Sequence, residues 1–309
     1  MGVKDIGLSF KWDPKTYYYR YSWLQLFRPM TLTGTISPIL VGTGFAFLEG
    51  TIQFDLLMLL LIAAILIQSA TNVLNDYYDF KSGQDKEKWI SGEEKGTIYG
   101  INHRTLPYLA ALLIGLAVVF GLWLAISTTM WIAIVGIIGI LAGIKYSAGD
   151  RSFASIGMGE VIAALFLGPV VTILAYFVQT NTINWQIIIL SLVFASLIVS
   201  MILTNNIRDF KKDIGFRKTL AFRLGRRKAI SLLSVLLVFP YVIVITLLLF
   251  KILPLSVLFV LFASPFAFKL LHGFRPTASR EEEIIGMKWA ARHHWVFGLL
   301  FAAGLWLFL

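Results

Sequence analysis

Apolar residues in this chain come in runs of about twenty, separated by polar joints that alternate in length and charge. The runs cover residues 24–48, 54–77, 106–126, 130–146, 156–179, 185–206, 229–250, 253–271 and 287–308. Most are long enough to carry a helix across a hydrocarbon core roughly 30 Å thick. Short segments of alternating polarity, the mark of a membrane β-barrel, are absent. The pattern therefore predicts an all-α polytopic membrane protein with nine transmembrane helices. Residues 1–23 form a charged, tyrosine-rich tail, and 24–309 read as one transmembrane domain. The joints at 49–53, 127–129, 180–184 and 251–252 are short, whereas those at 79–104, 147–155, 207–228 and 272–286 are longer and charged.

Composition removes the main competitor. With 58% apolar and 14% charged residues and a mean hydropathy of +0.78, the chain lies outside the roughly 45–50% apolar range of soluble domains. Its net charge of +10 is explained by membrane orientation, and no nucleic-acid partner is expected. Of the 27 lysines and arginines, 26 flank the tail and the four long joints, and only Lys251 falls opposite. The positive-inside rule then places the N-terminus and the long joints in the cytoplasm and the C-terminus outside, so the lipid bilayer is an expected partner. There are no cysteines, which excludes disulfides, thiolate metal sites and cysteine nucleophiles. The first run begins at Leu24 and is too long for a signal-peptide core, so it is read as retained.

Chemistry concentrates at two span ends. Asn72, Asp76 and Asp79 stand at i, i+4 and i+7 at the end of the second run; Asn205, Asp209 and Asp213 stand at i, i+4 and i+8 at the end of the sixth. Each set can form one stripe of a helix, a carboxamide followed by two carboxylates. Carboxylates so close repel unless a cation lies between them, and Mg²⁺ favours one or two carboxylates together with substrate phosphates. All four aspartates are therefore candidate metal ligands and catalytic groups. Arg208 and Lys212, within a turn of the second set, are candidate anion-binding groups, with Lys81, Lys86 and Lys88 after the first. Glu160 lies about 7 Å into the fifth run and can either deprotonate an acceptor or serve its own helix terminus. Gln68 is read as an interhelical hydrogen bonder, His293 and His294 as interfacial, and the glycines between 136 and 143 as a close helix contact. Tyr77, Tyr78, Tyr146 and Phe210 stand near the acidic ends, where aromatic faces can either anchor the interface or stabilise an allylic cation.

These residues resemble those of the UbiA superfamily of intramembrane prenyltransferases, with nine helices and aspartate-rich motifs after helices two and six, here at 72–85 and 205–213. The resemblance implies Mg²⁺ held on the diphosphate of a polyprenyl donor and transfer of the allylic carbon to an acceptor within the membrane. It also implies substrate-binding roles for Asn72, Asn205 and Tyr146, and for Lys145 as the basic residue after helix four. Asn75-Asp-Tyr-Tyr-Asp-Phe-Lys-Ser-Gly-Gln-Asp85, Gly159-Glu-Val161, Asn205-Asn-Ile-Arg-Asp209 and the run from Arg217 to Gly225 are similar to the menaquinone branch. That branch implies 1,4-dihydroxy-2-naphthoate as acceptor, giving demethylmenaquinone with release of diphosphate and CO2, in a bacterial cell membrane and at a site opening to the cytoplasm. Another aromatic acceptor such as 4-hydroxybenzoate stays open, as does, from a different class, an ion-coupled secondary transporter built on Glu160 and Asn72.

Overall fold

The computed structural model describes residues 17–50, 52–92, 100–210 and 218–307, and the chain is mostly helical. Its long helices are α1 (Thr33–Phe47), α2 (Phe54–Lys81), α3 (Leu106–Ser127), α4 (Trp131–Ser147), α5 (Gly159–Thr180), α6 (Trp185–Arg208), α7 (Arg226–Leu249), α8 (Leu255–Gly273) and α9 (Arg280–Trp306). Among the described residues, six of these are long and apolar enough to cross a membrane: α2, α3, α5, α6, α7 and α8. A bent pair, Trp23–Thr31 followed by α1, makes a seventh if it is one broken span. α4, with 17 residues, is shorter, and the first half of α9 carries Arg280, Glu281, Glu282, Glu283, Lys288 and Arg292.

The first run departs from the continuous helix its hydropathy predicts. It bends by 46° between Trp23–Thr31 and α1, and within the first of these pieces Arg28 takes a left-handed conformation (φ 50°, ψ 65°) just before Pro29. Proline removes one amide donor and disfavours α geometry in the residue before it, so the helix cannot run through. α5 is interrupted by a wide turn at Phe166–Val170, where Pro169 lacks a donor. There Gly168 lets the chain approach α6: a Cβ on it would lie 2.6 Å from the Ala195 amide nitrogen.

Buried side chains of α1, α5, α6, α7, α8 and α9 form one apolar core around Phe45, Phe194, Leu197, Val244, Phe297 and Phe301. A second joins α1, α2, α3 and α5 around Ile39, Leu56, Leu60 and Leu124. α3 and α4 expose large apolar side chains outward, among them Trp123, Ile126, Ile138 and Leu141, as lipid contact requires.

Outside the helices lies a feature that the hydropathy pattern does not predict. Tyr17–Tyr19 (β1) pairs antiparallel with Trp89–Ser91 (β2), Tyr18 opposite Ile90, and Tyr18 also bridges Asn102. The end of the N-terminal tail is thus threaded between two parts of the α2–α3 joint. A Cβ at Gly100 would stand 1.8 Å from the Tyr19 carbonyl oxygen, so only glycine permits that approach.

Candidate active site

A cavity of about 610 Å³ runs between α2, α3, α4, α5 and α6. One end is polar, lined by Gln68, Asn72 and Asn75 of α2, Tyr146 of α4, and Asn205 and Asn206 of α6. Since both asparagine sets sit near the C-terminal ends of their helices, those two ends lie together across the bundle. The other end is apolar and reaches Leu60, Leu124, Ile132 and Leu174. From Leu60 to Asn75 the cavity follows α2 for 15 residues, about 22 Å. Arg28 is the one charged side chain on its lining among the described residues.

The polar face of α2 grips the bend before α1. Gln68 donates to the Thr31 carbonyl at 2.8 Å and accepts from the Thr35 hydroxyl, and Asn72 donates to the Phe27 carbonyl at 2.9 Å. Backbone carbonyls freed by the break are thereby satisfied inside the protein. One turn on, Arg28 donates to Asn75 at 2.7 Å and to Asp76 at 2.6 Å. Lys88, carried by the β2 segment, reaches the same Asp76 oxygen at 2.8 Å. Asp76 is 1% exposed, and its other oxygen has no hydrogen-bond partner among the described residues. The neighbouring Tyr19 phenol is pushed up to about 12, first by burial and then by the Asp76 charge.

Asp79 lines a second cavity, about 420 Å³ and polar, with Tyr78, Lys81, Ser147 and Asp150; the Asn75–Ser147 hydrogen bond (2.9 Å) stands between the two spaces. Asp209 pairs with Arg208 and lies 3.6 Å from Arg280 of α9, while Arg208 also reaches Met287. Lys145 is exposed and lies off the cavity lining. Glu160 is buried in the first turn of α5, where one oxygen accepts from Asn206 at 2.6 Å and from the Leu220 amide at 2.8 Å. Lys212 and Asp213 lie outside the described residues.

Two readings from sequence are revised. His293 and His294 are buried rather than interfacial, bonded to Tyr241 at 2.9 Å and Thr33 at 2.9 Å. Of the glycines between 136 and 143, only Gly143 makes a close helix contact, against Thr71; Gly136 and Gly139 border the cavity, Gly136 with open space before it. Tyr77 stacks on His103, and Phe210 packs on Phe222, so of the four aromatics Tyr146 alone lines the cavity.

A family model described as the UbiA prenyltransferase family matches residues 35–292. The chain belongs to this family. It is an integral membrane enzyme that transfers prenyl groups. The 1,4-dihydroxy-2-naphthoate octaprenyltransferase of Bacillus subtilis is 33% identical over 91% of both chains. The enzyme of the same name from Escherichia coli is 30% identical over 67% of this chain and 70% of that one. A solved structure of a UbiA homolog from Archaeoglobus fulgidus, bound to GPP and Mg2+, shares the fold at a TM-score of 0.59, with 16% identity over 90% of this chain and 98% of that one.

The side chains of this UbiA family member suit a divalent ion only in part. Among the described residues no three acidic or histidine groups cluster as a self-sufficient cage. The unpartnered oxygen of Asp76 is nonetheless a hard-cation donor, and Mg²⁺ takes few carboxylates when substrate phosphates complete its shell. The donor set fits a metal brought with a phosphate-bearing substrate. In the sequence Arg28 is ambiguous: it could reach a diphosphate, but an arginine before proline at a helix start is ordinary. Its left-handed backbone, which costs about 1–3 kcal/mol in a non-glycine residue, is visible only in three dimensions.

Proposed function

We propose that the protein transfers a polyprenyl group from a polyprenyl diphosphate to 1,4-dihydroxy-2-naphthoate, with Mg²⁺, in a bacterial cell membrane. In this reading all nine long helices span the bilayer, the N-terminus and the active site face the cytoplasm, and the C-terminus faces outward. The observation that carries it is the single cavity with asparagines of both acidic motifs at a polar end, beside a long apolar extension. The names of the Bacillus subtilis and Escherichia coli relatives support the acceptor.

The apolar extension receives the isoprenoid chain, whose transfer from lipid to protein costs little, so affinity depends on fit and on the headgroup. Arg28, Asn72, Asn75 and Asn205 hold the diphosphate end, with Asp76, Asp209 and Asp213 available to a metal, and Asp79 on the adjoining polar cavity available to it only across the Asn75–Ser147 contact. Bound there, Mg²⁺ supplies neutralisation of the charge that grows on the leaving diphosphate. The allylic C–O bond breaks and its electron pair leaves with the diphosphate. Water is excluded by the apolar walls while the electron-rich naphthoate ring attacks the allylic carbon. Tyr146 stands on the lining where its ring can face the cation. Loss of CO2 from the prenylated carbon restores aromaticity. The immediate product is the hydroquinone, and oxidation to demethylmenaquinone is a separate two-electron step. Glu160 acts by fixing Asn206 and the segment at Leu220 in place.

Mass spectrometry of the product formed from mixed donors and acceptors, with Mg²⁺ or a chelator, tests this reading. A prenylated, decarboxylated naphthalene formed only with the metal is expected. A prenylated 4-hydroxybenzoate as the main product would replace the acceptor.

A further inference from the structure

Five basic side chains surround the α8–α9 joint, and they divide into two groups. Arg275 pairs with Glu282, and Arg280 lies near Asp209. Lys269, Lys288 and Arg292 have no carboxylate partner among the described residues. Two of these three meet at one ring: the Lys269 ammonium lies 4.5 Å from the centre of the Trp289 ring, and the Arg292 guanidinium carbon lies 4.7 Å from it.

A cation–π contact at an exposed position is weak. It offsets little of the repulsion between two like charges gathered on one indole, and it leaves their positive potential unneutralised. Lys269 and Arg292 are both exposed on the outside of the bundle. Phe266 packs on Trp289 at 5.8 Å, and Phe262, on the same stripe of α8, is 71% exposed about 10 Å deeper than Lys269. The site therefore combines an unneutralised cationic pair, an interfacial tryptophan and an exposed apolar surface below. Basic pockets between membrane helices on the cytoplasmic side suit anionic headgroups, and the apolar surface beneath suits an acyl chain that free phosphate does not have.

We propose that Lys269, Trp289 and Arg292 form a binding site for the phosphate headgroup of an anionic phospholipid. The site lies on the flank of the bundle, separate from the cavity between α2 and α6. α9 also carries Met287 and Arg280, which touch Arg208 and Asp209, so an occupied lipid site braces the helix against which the second acidic motif packs.

The test is native mass spectrometry of the full chain with equimolar phosphatidylglycerol and phosphatidylcholine. Two cations near a surface, at about 1 kcal/mol each, predict roughly a 30-fold preference for the anionic lipid. The Lys269→Gln/Arg292→Gln double variant is expected to bring it near parity, and Lys269→Gln alone, usable if the double variant does not purify, to lower it about fivefold. A Arg227→Gln/Lys228→Gln control on α7 keeps the preference. Equal retention of both lipids by the unaltered protein, an unchanged preference in the variants, or equal thermal stabilisation by inorganic phosphate at the same concentration would each overturn the proposal.

Discussion

Arg28 donates from a single guanidinium nitrogen to Asp76 at 2.6 Å and to Asn75 at 2.7 Å, tying the bend before α1 to the first acidic motif. The buried carboxylate is neutralised by this contact and by Lys88, which directly precedes β2. The node can therefore be tested from the anion, from its partner, and from the backbone strain that places the partner.

Asp76→Ala is expected to lower turnover about 10²–10³-fold, the usual consequence of losing one preorganised charge-stabilising group, while the protein still inserts. Product formation in membranes together with gel-filtration behaviour checks this. Arg28→Ala and Arg28→Gly both remove the guanidinium and lose activity, but glycine adopts a positive φ without strain. The glycine variant should be the more stable of the two by about 1 kcal/mol in a detergent melt.

Glu160 accepts from Asn206 and from the Leu220 amide through one oxygen, an arrangement that a carboxamide oxygen can reproduce. Glu160→Gln should keep activity within a few-fold. Glu160→Ala should lose about 1–3 kcal/mol of stability, because it leaves the buried Asn206 and the Leu220 amide without their acceptor. Equal inactivation of both variants, at unchanged stability, would mean that Glu160 itself moves a proton.

Gly136 borders the cavity with open space in front of its Cα. Gly136→Leu projects a branched side chain into the apolar extension. It is expected to reduce transfer from long prenyl donors at least tenfold more than from a ten-carbon donor. Paired turnover measurements with two donor lengths read the ratio, and loss that is independent of length would move the isoprenoid path elsewhere.

Tyr19 connects the tail to this node and holds its proton up to about pH 12. Because the folded phenol binds its proton more tightly than the unfolded one, its contribution is complete below about pH 10 and is lost as pH rises towards 12. Thermal melts across pH 9–12 should therefore fall more steeply for the unaltered protein than for Tyr19→Phe. Equal slopes would remove Tyr19 from the alkaline response.

Parts of the site were legible in the sequence because they follow from local periodicity. Asn72 and Asn205 both reach the cavity, as stripes at the ends of the second and sixth runs allowed. Asn206, one residue off the predicted stripe, lines the cavity as well and carries the contact to Glu160; an adjacent pair of asparagines at a span end was its available signal. Asp79 faces a second, polar cavity instead, because its position along the helix has a different neighbour, the α4–α5 joint. Lys145, placed by analogy of position, is exposed.

What the chain alone determined is the set of properties that depend on transfer from water to lipid and on helical spacing: apolar segments, charged joints, and polar groups concentrated at two helix ends. What only the tertiary structure decided is who neutralises whom. Arg28 and Lys88 are 60 residues apart, yet both reach Asp76, because the break at Pro29 turns one inward and the pairing of β1 with β2 brings the other across. Such contacts arise from long-range packing and strand pairing, for which neither hydropathy nor helical period carries a signal.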